Sequence, residues 1–397
     1  MPLEFLVFGL TLAGIAVFHK QALWISLGGL AITIAYKLAF TGFRHGAGLT
    51  GLAIHFGHEW VTLANLMMLL VGFAILAHHF EESKLSHALP KLMPEGWTGG
   101  LVLLAIVFLI SIFLDNIAAA VIGGVVARHV YQGQVSVGFL ASIVASANAG
   151  GAGSVIGDTT TTMMWLAGVS PLALFPAFIA ALAAFAVFGP LGARAQHRLV
   201  PTRRQASSDL TIDWVRVVIV VGVLVTIVAT NVGSNLFFQG SGNVAPLLGV
   251  AAWVALLIAL FARRPDWTIA PEAAKGALFL IALVALASLM PVETLPPASW
   301  QVVLELGLLS SVFDNIPLTA LALQQGGYDW ALLAYAVGFG GSMVWFGSSA
   351  GVALTGQFPE GRSVTAWLKS GWHVALAYLT GFFVMLTLRG WIPVAIP

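Results

Sequence analysis

The sequence predicts an all-α integral membrane protein with about ten transmembrane helices and two re-entrant helical hairpins, arranged as inverted-topology repeats with broken helices. Of its 397 residues, 59% are hydrophobic and only 8% are charged, whereas about a quarter of an average soluble domain is charged. Apolar segments of about 15 to 20 residues recur along the chain, and this length crosses about 30 Å of hydrocarbon. In addition, two Asp-Asn motifs interrupt shorter apolar stretches in related surroundings.

Composition also restricts the function. The chain has no cysteine, which excludes disulfides, iron–sulfur ligation and thiol catalysis. A net charge of +1 gives no reason to expect a nucleic-acid partner. The sequence contains neither a Gly-x-x-x-x-Gly-Lys-Ser/Thr phosphate loop nor a Ser or His nucleophile motif. We therefore expect neither an ATP-driven pump nor an enzyme, and no cofactor.

Hydropathy predicts ten apolar segments that could cross a membrane. Residues 1–18 lack a basic start and a small-residue cleavage site, so we interpret Leu3 to Val17 as a first spanning helix and not as a signal peptide. The other nine predicted segments are Ala22 to Phe40, Trp60 to Ala77, Val135 to Gly168, Leu172 to Pro190, Trp214 to Val232, Val244 to Phe261, Gly276 to Met290, Asp329 to Gln357 and Gly371 to Arg389.

Two further apolar stretches do not fit a simple span. Residues 101–127 are interrupted by Asp115-Asn116, and residues 302–323 are interrupted by Asp314-Asn315. Each apolar half is too short to cross the bilayer. Such a pattern is typical of a re-entrant hairpin, whose non-helical turn is tolerated at membrane depth only when it is buried in protein or faces water.

The two Asp-Asn motifs are 199 residues apart, which is half the chain. About 30 residues after each motif, a Gly/Ser-rich segment interrupts an apolar stretch, at residues 148–160 and 338–349. The recurrence of both features in the same order indicates an internal duplication.

We therefore divide the chain into two repeats. The first repeat, residues 1–190, has three spans, a hairpin, a broken span and a final span. A cytoplasmic linker, residues 191–213, leads to the second repeat, residues 214–397, which has the same order of elements. Five crossings in each repeat is an odd number, so the second repeat must be inverted in the membrane. The predicted hairpins are residues 101–131 and 301–325, and the predicted broken spans are residues 135–168 and 329–357.

The basic residues predict the orientation. Arginines in and beside the linker mark it as cytoplasmic by the positive-inside rule. Alternation then places every Lys and Arg except Lys37, Arg44 and Arg389 on that side. We expect a multi-pass protein of the cell inner (plasma) membrane, with the lipid bilayer as its surroundings and both termini outside.

Ionisable residues inside a span cost roughly 2.5–3.5 kcal/mol on insertion scales, so they are functional candidates. Asp115, Asp158, Asp314 and Glu305 are predicted at that depth. The three aspartates lie beside Asn, Gly and hydroxyl residues, and oxygen ligands of this kind suit Na⁺ or Li⁺. A carboxylate can bind either a proton or a metal ion, and competition between the two is the simplest exchange mechanism.

Each candidate also has a purely structural explanation. The three aspartates could cap half-helices, which favour a carboxylate at the N-terminus, and capping can coexist with ion binding. The hydroxyls of Thr159 to Thr162 could bond to backbone carbonyls. Glu305 could carry protons or reach the outer interface. The segment from His78 to Glu82 resembles a metal cluster, but it lies at a predicted helix end and we interpret it as a solvated face.

The block Asn148-Ala149-Gly150-Gly151 followed by Ile156-Gly157-Asp158-Thr159-Thr160-Thr161-Thr162, with an Asp-Asn motif before it, resembles the ion transporter superfamily. Within that group the chain is most similar to NhaD-type sodium/proton antiporters, over essentially its whole length. The resemblance implies a homodimer, a scaffold domain from the early helices of each repeat, and a moving transport domain in an elevator-type mechanism. The cation-site residues that the resemblance implies are Asp115, Asn116, Asn148, Asp158, Thr160, Thr161, Asp314, Asn315, Ser342 and Ser348.

The leading hypothesis is a secondary active Na⁺(Li⁺)/H⁺ antiporter with a small ion as its substrate, in which Asp115, Asp158 and Asp314 bind the metal ion. A first alternative is a citrate, carboxylate or arsenite carrier of the same superfamily, in which the aspartates hold a coupling cation. Two extra carboxylates at the hairpin tips should disfavour an anion, which supports the cation. A second alternative is a membrane enzyme or structural subunit, which would transport no solute.

Overall fold

The computed structural model describes residues 2–18, 21–44, 46–85, 93–202, 211–237 and 245–395. Within these ranges the chain is almost entirely helical, and its β structure is one isolated bridge between Phe43 and Gly46. The predicted all-α class is therefore confirmed. Four of the basic residues used for the predicted orientation lie outside the described ranges: Lys20, Lys91, Arg203 and Arg204.

The helices of the first half alternate between long rods and short, paired segments. They are α1 (Leu3–Val17), α2 (Ala22–Tyr36) with a π-helical end (Lys37–Thr41), α3 (Gly48–Glu82), α4 (Trp97–Ser111), α5 (Asn116–Val130), α6 (Val137–Gly151), α7 (Thr159–Leu166), α8 (Pro171–Leu174) and α9 (Ala177–Leu199).

The second half has a similar series. Its helices are α10 (Trp214–Phe237), α11 (Leu247–Ala259), α12 (Ala270–Ser288), α13 (Trp300–Ser310), α14 (Asn315–Gln325), α15 (Trp330–Gly340), α16 (Ser349–Gln357), α17 (Val364–Ser370) and α18 (Trp372–Arg389). Short 3-10 turns occur at Trp267–Ile269, Val292–Thr294 and Pro359–Arg362. Hydropathy did not predict α17, which begins at its cap Ser363.

Five helical segments in the described ranges are long and apolar enough to cross a membrane: Ala22–Thr41, Gly48–Glu82, Pro171–Leu199, Trp267–Ser288 and Trp372–Arg389. The apolar helices α1, α4, α5, α6, α11, α13 and α15 have only 11–15 residues, whereas α10 has 24. The full number of about ten spans and the re-entrant insertion of the two Asp-Asn helix pairs stay predictions.

Helix α3 is much longer than the predicted span from Trp60 to Ala77, since it runs for 35 residues. Polar residues before Trp60 lower the hydropathy below that of a membrane span, but the helix continues through them. The His55 ring bonds to the Ser288 hydroxyl at 2.9 Å, and Glu59 accepts a hydrogen bond from Gln324 at 3.3 Å. Side chains with partners of this kind can be buried, so the backbone continues as a helix.

Contacts group the helices into two compact units, and each unit draws on both halves of the sequence. The first unit comprises Met1–Glu82, Trp214–Leu295 and Leu323–Gln325. The second unit comprises Ser83–Asp213, Pro296–Ala322 and Gly326–Pro397. All ten predicted site residues are in the second unit, together with both Asp-Asn motifs, both interrupted helices and the last helix of each half.

Within the second unit, the two halves repeat the same backbone contacts. The Ser111 hydroxyl donates to the Ala147 carbonyl at 2.5 Å, and the Ser310 hydroxyl donates to the Val337 carbonyl at 2.6 Å. A Cβ atom on Gly150 would collide with the carbonyl oxygen of Phe108, and one on Gly340 would collide with the corresponding oxygen of Gly307. Glycine is needed at both positions because the backbones approach so closely.

Candidate functional site

The three predicted aspartates all cap short helices. Asp115 accepts a hydrogen bond from the backbone N–H of Ile117 at 3.1 Å, Asp158 from Thr160 at 3.0 Å, and Asp314 from Ile316 at 3.0 Å. The structural explanation is therefore correct for all three, because each carboxylate satisfies an otherwise unpaired N–H group and faces the positive end of a helix. Each cap engages one oxygen of its carboxylate.

Asp158 has the most unusual surroundings of the three. Its side chain is only 2% exposed, and Thr160 is fully buried at 0%. Among the described residues, neither Oδ2 of Asp158 nor the hydroxyl oxygen of Thr160 has a hydrogen-bond partner of normal geometry, and the Thr160 side chain lies close to the Asp158 carboxylate. Leaving a buried polar group unpaired costs roughly 1–3 kcal/mol. Two such oxygens on one helix N-terminus are suitable as part of the oxygen ligand set of a hard cation.

The other two carboxylates add negative charge nearby. The charges of Asp115 and Asp314 both act on Asp158, and both side chains are partly exposed. Within the described part of the chain, none of the ion pairs involves these three aspartates. These carboxylates are opposed by helix N-termini but by no Lys, Arg or His ion pair among the described residues, and the net negative potential favours a cation over an anion.

Asn148 joins both halves of the site. Its side-chain oxygen accepts a hydrogen bond from Asn116 at 3.0 Å. Its amide nitrogen donates to the hydroxyls of Ser342 at 2.9 Å and Ser348 at 3.2 Å. Asn148 is fully buried. The first Asp-Asn motif is therefore connected through α6 to the interruption between α15 and α16.

The second Asp-Asn motif joins the same network. The Ser349 hydroxyl donates to Oδ2 of Asp314 at 3.3 Å. Asn315 is buried, and its backbone carbonyl accepts a bond from Thr319 at 2.9 Å. The structure thus brings together side chains from both motifs and both interrupted helices.

The remaining predicted threonine, Thr161, is used differently from Thr160. Its hydroxyl donates to the carbonyls of Ser154 at 2.5 Å and Asp158 at 2.8 Å. Thr162 likewise donates to the carbonyls of Val155 and Asp158. Back-bonding therefore explains these two threonines, whereas the hydroxyl of Thr160 remains for another partner. The ligand role of Thr161 stays a prediction.

Sequence reasoning missed three residues of this region. Ser154 donates to the Ile112 carbonyl at 2.5 Å and so ties the interruption after α6 to the first motif. Ser349 contacts Asp314, although only its neighbour Ser348 was predicted. A Cβ on Gly338 would lie 3.1 Å from Oδ2 of Asp158. The Gly/Ser-rich pattern contained all three residues, but spacing alone could not rank them.

Other candidates lie outside this network. Glu305 is exposed, which fits a group at the outer surface of its helix. His78 contacts Glu81 at 3.5 Å and Asp266 at 3.8 Å. The interpretation of this segment as a solvated face is wrong for His79, which is buried and lies 2.8 Å from an Arg216 nitrogen. The described residues contain no group of three His, Cys, Asp or Glu side chains that could hold a metal ion.

Known proteins resemble this chain over most of its length, although no family model matches it. Sodium/proton antiporter 1 of Arabidopsis thaliana is 25% identical over 92% of this chain and 67% of its own. The Na(+)/H(+) antiporter NhaD of Vibrio cholerae is 28% identical over 84% of this chain and 80% of its own. NhaD of Alkalimonas amylolytica is 26% identical over 84% of this chain and 79% of its own. Among solved structures, the YdaH transporter of Alcanivorax borkumensis has a TM-score of 0.49 at 13% identity and covers 95% of this chain and 99% of that one.

These relatives confirm the predicted resemblance to NhaD-type antiporters. The chain is a multi-pass membrane protein and a secondary transporter, not an enzyme.

Proposed function

We propose that this transporter exchanges Na⁺ or Li⁺ for H⁺ at Asp158. The observation that carries the proposal is the pair of buried oxygens without a partner, Oδ2 of Asp158 and Oγ1 of Thr160. They lie in a region where three carboxylates attract cations. Relatives that match most of this chain are named as sodium/proton antiporters, which supports the same pair of ions.

In this mechanism Asp158 binds one ion at a time. The cation takes Oδ2 of Asp158 and the hydroxyl of Thr160 as ligands, and further ligands come from the predicted residues around them. A proton on the same carboxylate removes its charge and releases the cation. Asn148 holds the two interrupted helices together, while Asp115 and Asp314 contribute negative potential. Since one carboxylate cannot hold both ions, each cation leaves in exchange for protons.

We infer that the second unit moves as the transport domain of an elevator-type mechanism and that the first unit is the scaffold of a homodimer. The grouping of every predicted site residue in one compact unit supports this division. The inverted repeats, the cytoplasmic linker and the location of both termini outside the plasma membrane belong to the same proposal, and the distribution of Lys and Arg supports them.

A citrate, carboxylate or arsenite carrier is the competing function. An anionic substrate would need compensating positive charge, and the three aspartates in this region have no Lys, Arg or His counter-ion among the described residues. The negative potential therefore favours a cation as the transported species.

The test is an ion screen in proteoliposomes with a pH-sensitive dye inside. We expect Na⁺ or Li⁺ to drive proton movement, while K⁺, citrate and arsenite drive none. The half-saturating cation concentration should rise as the pH falls, because protons compete for Asp158. Uptake of labelled citrate without any cation-stimulated proton flux would decide for the carboxylate carrier.

Thr160→Val should weaken cation binding without destabilising the protein. Valine has nearly the same shape, and the lost hydroxyl has no protein partner, so the thermal midpoint without cation should hold or rise. The half-saturating cation concentration should increase about tenfold, which corresponds to about 1.4 kcal/mol.

Thr162→Val is the matched control for Thr160. Its hydroxyl bonds to two backbone carbonyls, so this variant should lose about 1 kcal/mol of stability with less effect on cation affinity. If both variants behaved alike, the hydroxyl of Thr160 would not be a ligand.

Gly338→Ala should change cation selectivity. The added methyl group would lie 3.1 Å from Oδ2 of Asp158 and would reduce the space beside the proposed ligand. Overpacking costs roughly 1–3 kcal/mol, so Na⁺ affinity should fall roughly fivefold or more, and affinity for the smaller Li⁺ should fall less. The ratio of Na⁺ to Li⁺ affinity is obtained from exchange rates measured over a range of concentrations of each ion. Gly222→Ala is the control, since a Cβ there meets nothing within 4 Å; an unchanged Na⁺/Li⁺ ratio in Gly338→Ala would contradict the prediction.

A further inference from the structure

Each interrupted helix begins at a polar contact with the last helix of its own half. Ser136 caps α6 by accepting from the N–H of Phe139 at 3.3 Å, and Asp329 caps α15 by accepting from that of Leu332 at 3.2 Å. The partner of each cap lies 60 residues later in both halves, at Gln196 in α9 and at Arg389 in α18. In both halves, the start of the interrupted helix is therefore joined to the last helix at a corresponding position.

The contact in the first half is neutral. Oε1 of Gln196 accepts from the backbone N–H of Ser136 at 2.8 Å, and its Nε2 donates to the Gln134 carbonyl at 2.9 Å. Gln196 is fully buried, at 0% exposed. One amide side chain therefore satisfies a donor and an acceptor at the start of α6, and fixes that start against α9.

The contact in the second half is ionic. Nη1 of Arg389 lies 2.8 and 2.7 Å from the two carboxylate oxygens of Asp329, which is only 1% exposed. The backbone N–H of Ile392 donates to the same carboxylate at 3.1 Å. Gly390, with φ of 75°, allows the chain after α18 to turn back toward this carboxylate.

The C-terminal segment after Gly390 is held at the start of α15 by two further bonds. The backbone N–H of Val394 donates to the Tyr328 carbonyl at 3.0 Å, and the indole N–H of Trp330 donates to the Val394 carbonyl at 2.7 Å. Asp329 therefore makes more contacts than Ser136. Its carboxylate binds the N-terminus of α15, Arg389 in α18 and the backbone of the segment after Gly390.

We propose that Ser136–Gln196 and Asp329–Arg389 are equivalent positioning clips, which fix the starts of α6 and α15 so that their far ends hold Asn148 against Ser342 and Ser348 and Gly338 beside Asp158. Each helix is a short rod, so a shift at its start displaces its far end. Asp329 lies nine residues before Gly338, or about 14 Å along the helix axis. At that distance it acts on the site through the helix and is not a ligand.

As an alternative, the buried carboxylate of Asp329 would carry the transported proton. The neutral pair of the first half allows this role to be distinguished from positioning. If geometry is what matters, the neutral Ser/Gln pair should replace the ionic pair. If the carboxylate itself is needed, no neutral pair can. Removing one partner alone leaves a buried group uncompensated, whereas replacing both partners often costs little.

The experiment compares Asp329→Ser, Arg389→Gln and the double variant in proteoliposomes and in thermal unfolding. We expect each single variant to raise the half-saturating cation concentration about tenfold, with a smaller change in maximal rate, and to lower the thermal midpoint. The double variant should recover most of the lost affinity, to within about threefold of the parent, with the parental pH profile of exchange. Recovery should not be complete, because serine leaves the Ile392 N–H without its acceptor. Asp266→Ser, at an exposed helix cap, should change neither affinity nor pH profile.

Two results would overturn the clips: single variants indistinguishable from the parent, or a double variant as impaired as the worse single or with a displaced pH profile. The activity measurements rest on the proposed cation/proton exchange. If the parent exchanged no cation for protons, that proposal would fail. The thermal midpoint would still test the clips, since recovery in the double variant would support them and a loss as large as in the worse single variant would contradict them.

Discussion

Asp158→Asn is expected to abolish cation-dependent proton exchange while the protein still folds and inserts. Asparagine keeps the shape and remains a good helix cap, so the bond to the Thr160 N–H can persist. The variant removes the charge that holds the cation and the site that holds the proton. We expect exchange to fall at least about a hundredfold, the equivalent of about 2.7 kcal/mol, at every pH tested. Dye-based proton flux in proteoliposomes measures this, with size-exclusion chromatography as the check on folding.

Asp266→Asn is the matched control for this variant. Asp266 also caps a helix, through the Thr268 N–H at 2.9 Å, but it is exposed in a loop. Hydrogen bonds from the side chain and the backbone of Thr268 hold the pKa of Asp266 below its usual value. Glu95→Gln, on an exposed residue, is a second control, and both should exchange ions like the parent. Parental exchange with an unchanged pH profile in Asp158→Asn would leave Asp158 as a helix cap only.

Asn148→Ala is expected to have the next largest effect. The substitution removes the hydrogen bonds to Asn116, Ser342 and Ser348 together and leaves buried polar groups unpaired, at roughly 1–3 kcal/mol for each unsatisfied group. The two interrupted helices then lose their shared side-chain contact. We expect a clear loss of thermal stability and a loss of cation affinity of roughly a hundredfold.

Asn65→Ala separates the effect on stability from the effect on the site. Asn65 is also a buried asparagine in a helix, and its side-chain oxygen accepts from the Gly249 N–H at 2.9 Å, but it belongs to the first unit. It should lower the thermal midpoint and leave the half-saturating cation concentration close to that of the parent. Equal losses of affinity in both variants would mean that Asn148 contributes stability alone.

The helices and their interruptions were readable from the sequence because each depends on local composition. Hydropathy located α1 within its observed bounds from Leu3 to Val17, and the Gly-rich segment after Asn148 marked where α6 ends. The same signal failed for α3, whose polar residues form hydrogen bonds with residues far along the chain. The spacing of the His78 to Glu82 segment likewise did not show that His79 is buried and contacts Arg216. Periodicity and hydropathy contain no information about such distant partners.

The sequence by itself determined the all-α membrane fold, the two related motifs and the list of oxygen-bearing residues, since hydrophobic length and motif recurrence are properties of neighbouring residues. Only the tertiary structure decided which of those oxygens are already used. It assigned the hydroxyls of Thr161 and Thr162 to backbone carbonyls, made Asn148 the link between the halves, and left Oδ2 of Asp158 and Oγ1 of Thr160 buried without a partner. The reason is physical: whether a polar atom is satisfied depends on groups that lie as far as 265 residues away, which only folding brings within hydrogen-bond distance.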